Sequence, residues 1–166
     1  MKSTILVVAL ILLAVPAFSQ STPGAGTFGI GTSISGLAAI NAADIATVSN
    51  GLSAMYWVDH HIVLSAGFGL STTSDVGTVF DFNFGGLYHF NKNQLSPLAG
   101  AAIFISVNSP SAAGAKSTTS FGFLLGGGAE YFFSKNFGMS LTEGIQFSTQ
   151  PTTFAFVSKM GINWYF

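Results

Sequence analysis

In the stretch GTVFDFNFGGLYHFNKN, residues 77–93, phenylalanine takes every second position at Phe80, Phe82 and Phe84, with Asp81 and Asn83 between. A helix would scatter these side chains around its circumference, whereas a strand sends alternate residues to opposite faces. One face is then aromatic and the other polar. The same period of two returns along the chain. It sets Phe28, Ile30 and Ile34 apart in TFGIGTSIS, and Ile62, Leu64, Phe68 and Leu70 in HIVLSAGFGLS. It sets Phe121, Phe123, Leu125 and Tyr131 apart in SFGFLLGGGAEYF, and Phe154, Phe156, Met160, Ile162, Trp164 and Phe166 in TFAFVSKMGINWYF. Glycine, serine, asparagine and a few charges fill the other face. The pattern predicts strands over 26–36, 49–58, 61–72, 77–90, 94–107, 118–133, 137–148 and 152–166. LSPLAGAAIFIS is apolar on both faces, so Pro97 is expected near a strand end or a bulge. LAAINAADIATVSN, residues 37–50, reads equally as loop, strand extension or one short helix.

The solvent follows from composition. Charged residues make up 7% of the chain and aromatics 14%, where a water-soluble domain carries about 25% charged residues. Outward phenylalanine on that scale would expose apolar patches that soluble monomers avoid. Hydrocarbon is therefore expected to face the aromatic side. In hydrocarbon only helices and closed barrels satisfy every backbone group. Beyond the first twenty residues no apolar run approaches the roughly 20 residues of a spanning helix. The expected fold is all-β: an eight-stranded antiparallel up-and-down transmembrane β-barrel. MKSTILVVALILLAVPAFSQ reads as a cleaved signal peptide, with Lys2 as the positive start, Ile5–Val15 as the apolar core, and Ala17 and Ser19 as the small residues before the cut. The expected division is a signal peptide over 1–19 and a barrel domain over 20–166. The chain has no cysteine, hence neither a disulfide framework nor a lipoprotein acylation site. With a net charge of −1 and no arginine it has no electrostatic footprint for nucleic acid.

Aromatic residues cluster before tight turns, at Tyr56 and Trp57, Tyr88 and Phe90, and Tyr131 and Phe133, and again at the end as Trp164 and Tyr165. Tyrosine and tryptophan favour the membrane–water interface. These eight residues are expected to form one girdle on the periplasmic side, beside short turns at Asp59–His60, Asn91–Asn93 and Ser134–Asn136, with both termini there. The outer loops would then be 37–48, 73–76, 108–117 and 149–151.

Signal peptide, eight alternating segments, the GGGAEYFFSKN hairpin and the terminal NWYF together resemble the small eight-stranded outer-membrane barrels of the outer membrane protein A and X type. The resemblance covers the mature chain. It implies insertion into the cell outer membrane, with Phe166 as the signal that the outer-membrane insertion machinery reads. Members of that group serve as anchors, adhesins, narrow pores and lipid-modifying enzymes, so the resemblance implies no single activity. No cell-wall tethering domain is expected after the last strand.

The interior of an eight-stranded barrel is just wide enough for side chains to fill. Its inward glycines, among them Gly29, Gly31, Gly67, Gly122 and Gly128, read as room for curvature and for large inward neighbours rather than as a hollow channel. Asp81, Glu130 and Lys159 are the inward charges and are expected to form a lumen network, since a buried charge needs a partner. Glu143 in MSLTEGIQF breaks the pattern by falling with Leu141 and Ile145 on the lipid face; a bulge near Gly144 or a shifted register would explain it. His60, His61 and His89 read as polar turn residues at the periplasmic rim, without a serine placed as a nucleophile. Neighbouring His60 and His61 point to opposite faces and do not form a metal site. GAGTFG, residues 24–29, lacks the flanking strand and helix of a dinucleotide site. No catalytic, cofactor or metal site is expected. The expected function is a non-enzymatic structural or surface-interaction role through the outer loops; a narrow or gated pore for water, ions or small solutes is the alternative. Outer-membrane lipid and the insertion machinery are the expected partners.

Overall fold

The computed structural model describes residues 22–39, 47–73, 77–112, 114–149 and 152–166. The expected signal peptide lies outside them, as do residues 40–46 of the ambiguous 37–50 stretch and with them parts of all four expected outer loops.

Eight strands run in chain order: β1 (Phe28–Ala39), β2 (Thr47–Trp57), β3 (Ile62–Thr73), β4 (Gly77–His89), β5 (Leu95–Pro110), β6 (Thr118–Ser134), β7 (Phe137–Thr149) and β8 (Thr152–Tyr165). Each pairs antiparallel with the next, and β8 returns to β1 through pairs from Gly29↔Tyr165 to Ala39↔Ala155, closing the barrel. No edge remains unpaired, which is the condition for a sheet in hydrocarbon. The observed strands match the expected ones to within three residues at each end. In the ambiguous stretch, residues 37–39 and 47–50 extend β1 and β2. Pro97 lies just past the last β4–β5 pair, His89↔Leu98, where its missing N–H breaks no rung of that ladder.

The inversion expected from the sequence is present. Phe80, Phe82 and Phe84 stand exposed on the outer wall, while Asp81 and Asn83 line the interior. Large apolar side chains on the outer wall are widely accessible, Leu52 and Ile103 at 66% and Trp164 at 54%. A water-soluble sheet would hide them.

Both described chain ends and the turns β2–β3, β4–β5 and β6–β7 share one end of the barrel, here the turn end. In the β2–β3 turn, Asp59 Oδ1 accepts the His61 and Ile62 backbone N–H groups at 2.6 and 2.8 Å, which holds its carboxyl below the usual range. Residues 22–27 cross the mouth at this end. Gly26 N–H donates to Trp57 O, and Thr22 reaches Lys92 O in the β4–β5 turn and His60 O in the β2–β3 turn. At the opposite, loop end, β3 and β7 finish at Thr73 and Thr149, and β4 and β8 start at Gly77 and Thr152.

Candidate functional site in the barrel lumen

The turn end of the lumen is filled by large side chains from five strands. Met55 and Trp57 of β2, Val63 of β3, Phe132 of β6 and Tyr165 of β8 form one buried cluster, with Leu87 of β4 against it. Trp57 lies against His89 with ring centroids 4.7 Å apart and the planes tilted by 38°, and meets Tyr165 edge-on at 6.0 Å. Phe132 lies 6.0 Å from Tyr165. With residues 22–27 beneath, this floor shuts the mouth.

The floor corrects two members of the expected girdle. Tyr56, Tyr88, Phe90, Phe133 and Trp164 are exposed on the outer wall and Tyr131 is half-exposed, but Trp57 and Tyr165 are buried inside. The reason is the same alternation: Tyr56 and Trp164 point outward, so their chain neighbours must point in. His89 needs the same correction. It is not a turn residue but a fully buried one, and it shares the inward parity of Asp81, Asn83 and Leu87. That parity was the signal in the sequence that would have found it.

Glu130 is the polar centre of the floor. Its Oε1 accepts from Asn163 Nδ2 and from the Tyr165 hydroxyl, each at 2.7 Å, while Oε2 lies 3.8 Å from His89 Nε2. On the far side of the imidazole, Nδ1 lies 3.0 Å from Ser96 Oγ, and the Ser96 hydroxyl donates to Asn91 O at 2.9 Å. A hydroxyl has one proton to give, so His89 Nδ1 must donate to Ser96. The Nε2 lone pair is left facing the Glu130 carboxyl, where it has no hydrogen-bond partner. A bare Nε2 against a bare carboxylate would be repulsive. The arrangement holds when one proton lies between the two groups.

Ser96, His89 and Glu130 form a serine–histidine–carboxylate row that the sequence did not suggest, since the three lie on different strands. Its proton directions are opposite to those of a nucleophile: the imidazole donates to the serine instead of drawing its proton. Ser96 and His89 are also completely buried, and Glu130 is 2% accessible, so no substrate reaches them. The row is a structural brace.

Glycines make room for it. A Cβ at Gly29 would fall 2.6 Å from the Tyr165 ring, and one at Gly138 would fall 2.6 Å from Glu130 Oε1. The inward glycines thus match large inward neighbours, as expected. Gly138→Ala should push the Glu130 carboxyl off its partners and destabilise the barrel by about 1–3 kcal/mol. A urea midpoint unchanged from the parent would show that the carboxyl has slack.

Above the floor lies a cavity of about 310 Å³. Serines from five strands line it, together with Asn83, Thr142 and Gln146, and Phe104 and Leu124 add apolar surface. Asp81 and Lys159 face into it from β4 and β8, with three strands between them whichever way the barrel is traced. The expected network of Asp81, Glu130 and Lys159 is not made by direct contact. Asp81 is bonded by Ser106, its register neighbour on β5. Through Ser140 of β7, Glu130 is level with Gly161, two places nearer the turn end than Lys159, so its partners come from Asn163 and Tyr165. Among the described residues the one acid–base pair within 4 Å is His89–Glu130, an ion pair only when His89 carries a second proton, and no cluster suited to a metal ion occurs. Glu143 is also settled. The β6–β7 ladder shifts only at Phe132/Ser134, β7 runs unbroken past Gly144, and Glu143 stands on the outer wall.

The same barrel is found among solved structures. The N-terminal β-barrel domain of Pseudomonas aeruginosa OprF matches with a TM-score of 0.61 at 16% identity, over 87% of this chain and 100% of that one. Neisserial surface protein A matches with a TM-score of 0.67 at 12% identity, over 84% and 96%. Ail, the attachment invasion locus protein of Yersinia pestis, matches with a TM-score of 0.54 at 15% identity, over 87% and 99%. At these identities the likeness is one of fold. No curated protein matches the sequence. Residues 5–146 match the family described as outer membrane protein beta-barrel domain, and the chain belongs to that family.

Proposed function

We propose that the protein is a non-enzymatic, non-conducting barrel of the outer membrane that acts structurally and through what its loop end meets outside the cell. The observation that carries this reading is the floor: Trp57, Phe132, Tyr165 and His89 fill the turn end, and residues 22–27 cross it. A buried, hydrogen-bonded floor is poor material for a permanent channel, since opening it would strand Glu130, Asn163 and Tyr165 without partners. The fold likeness to an attachment protein fits a surface role. In this reading the turn end and both termini lie in the periplasm, where the exposed Tyr56, Tyr88 and Trp164 meet the headgroups. A signal peptide over 1–19 directs export. The insertion machinery takes hold at Phe166, which is exposed and rings against Phe28 at 5.6 Å.

A gated pore is the second reading, and the 310 Å³ polar cavity favours it. Conductance of the refolded mature protein in a planar bilayer separates the two. The parent should be silent. Trp57→Ala with Phe132→Ala should give small steady openings, because two of the floor's large rings are gone. Openings in the parent that change in Lys159→Met would establish the pore and end the structural reading.

A further inference from the structure

Glu143 is the central residue of the 13-residue β7. It faces Gly127 of β6 on one side and Ser158 of β8 on the other, with Ala99 of β5 and Gly36 of β1 next in the row. All are outward positions with little or no side chain. Above and below the row Leu125, Leu141, Ile145, Phe156 and Met160 stand exposed. The outer wall thus carries a shallow groove at mid-depth, with one carboxyl in it and one hydroxyl beside it.

Hydrocarbon offers that carboxyl nothing. An ionisable group at this depth is costly and needs a partner. Either end of β7 is six residues away, roughly 15 Å of membrane depth at the usual rise and tilt, beyond a glutamate's reach. Whatever completes the site arrives through the membrane.

We propose that a second copy of this chain docks on this wall, about a two-fold axis along the membrane normal, with Glu143 of each copy bonded to Ser158 of the other. Such an axis keeps both copies in one orientation, so residues at one depth meet. It sets β7 of one copy opposite β8 of its mate, and the Glu143–Ser158 contact forms twice. The groove is self-complementary in chemistry, since the carboxyl accepts what the hydroxyl donates. Gly127 and Gly36 on either side let the two backbones approach, as small residues do at interfaces within membranes. No cationic partner is required.

The chain has no cysteine, so one introduced cysteine reports on one surface. Ile145→Cys places it beside the groove, and Leu70→Cys on the opposite wall serves as control. Oxidation of outer membranes carrying the full chain should cross-link the first into a dimer and leave the second monomeric. Adding Glu143→Leu to Ile145→Cys should cut the dimer on the order of tenfold, while Glu143→Gln, which still bonds the serine, keeps most of it. Gel mobility before and after boiling shows that each variant is folded. If Glu143→Leu does not fold, Ser158→Ala should give the same loss. Equal cross-linking at both positions overturns the proposal, as does a dimer indifferent to Glu143 and Ser158, or a band containing a different protein. Subunit counting by photobleaching of the labelled, otherwise unaltered protein in nanodiscs should give two; a count of one overturns the proposal as well. A non-conducting dimer leaves the proposed function standing, and a conducting monomer removes both, so the two failures are distinguishable.

Discussion

Phe82→Asp is expected to keep the chain out of the membrane, while Asn83→Asp inserts and folds. The two positions are adjacent and near the middle of β4, yet they face different solvents. Phe82 stands on the outer wall between Phe68 of β3 and Ile105 of β5, its register neighbours. All three are exposed to the surroundings of the barrel. Replacing Phe82 by aspartate removes a large apolar transfer and puts a carboxylate at mid-depth, together about 4 kcal/mol or roughly a thousandfold in the folding equilibrium. Asn83 faces the polar cavity beside Gly67, where a Cβ would touch its amide. Aspartate has the same shape there and is met by a serine-rich lining. Folding into vesicles, followed by gel mobility with and without boiling, reads both. If the two variants fold equally well, the assignment of inside and outside is wrong. Glu143 is no counterexample, because its neighbours are Gly127 and Ser158 where those of Phe82 are phenylalanine and isoleucine.

The wall was legible in the sequence and the floor was not. Outward residues obey one rule, alternate apolar side chains at fixed parity, and that rule needs no knowledge of which strands are neighbours. It therefore placed Phe80, Phe82 and Phe84 outside and Asp81 inside, and it held for Glu143 even where chemistry argued for a bulge. The floor depends on which residues meet across the lumen. Glu130 gains Asn163 and Tyr165 because β7 sets the register between β6 and β8, and gains His89 from β4 across the lumen. Charge alone suggested Lys159, which lies nearer the loop end than Glu130's partners. Trp57 and Tyr165 were misplaced for another reason. Paired aromatics at a strand end look like one interfacial cluster, but neighbouring strand residues cannot share a face. Applied at those two positions, and at His89, the parity rule draws most of the floor from the sequence alone.

Glu130→Ala should be among the most damaging single changes inside the barrel, and Glu130→Gln among the mildest at that site. Alanine removes the acceptor at 2.7 Å from both the Tyr165 hydroxyl and the Asn163 amide, leaving them only the long contacts to Met55 Sδ at 3.9 Å and Ser140 Oγ at 3.4 Å. Leaving these two buried groups without a good acceptor costs about 1–3 kcal/mol each. Glutamine keeps the shape and an acceptor oxygen for Asn163 and Tyr165. Its amide nitrogen then occupies the place of Oε2, 3.8 Å from His89 Nε2, and a small approach lets it donate to the lone pair that His89 presents when Nδ1 is committed to Ser96. Glutamine thus does the work of the shared proton, and its cost should be under about 1 kcal/mol. Urea unfolding in detergent, followed by the fluorescence of Trp57 and Trp164, gives both values. A glutamine variant as unstable as alanine would mean that full ionisation of Glu130 holds the floor. Two variants as stable as the parent would mean that the aromatic packing of Trp57, Phe132 and Tyr165 holds it alone, with the carboxyl a passenger.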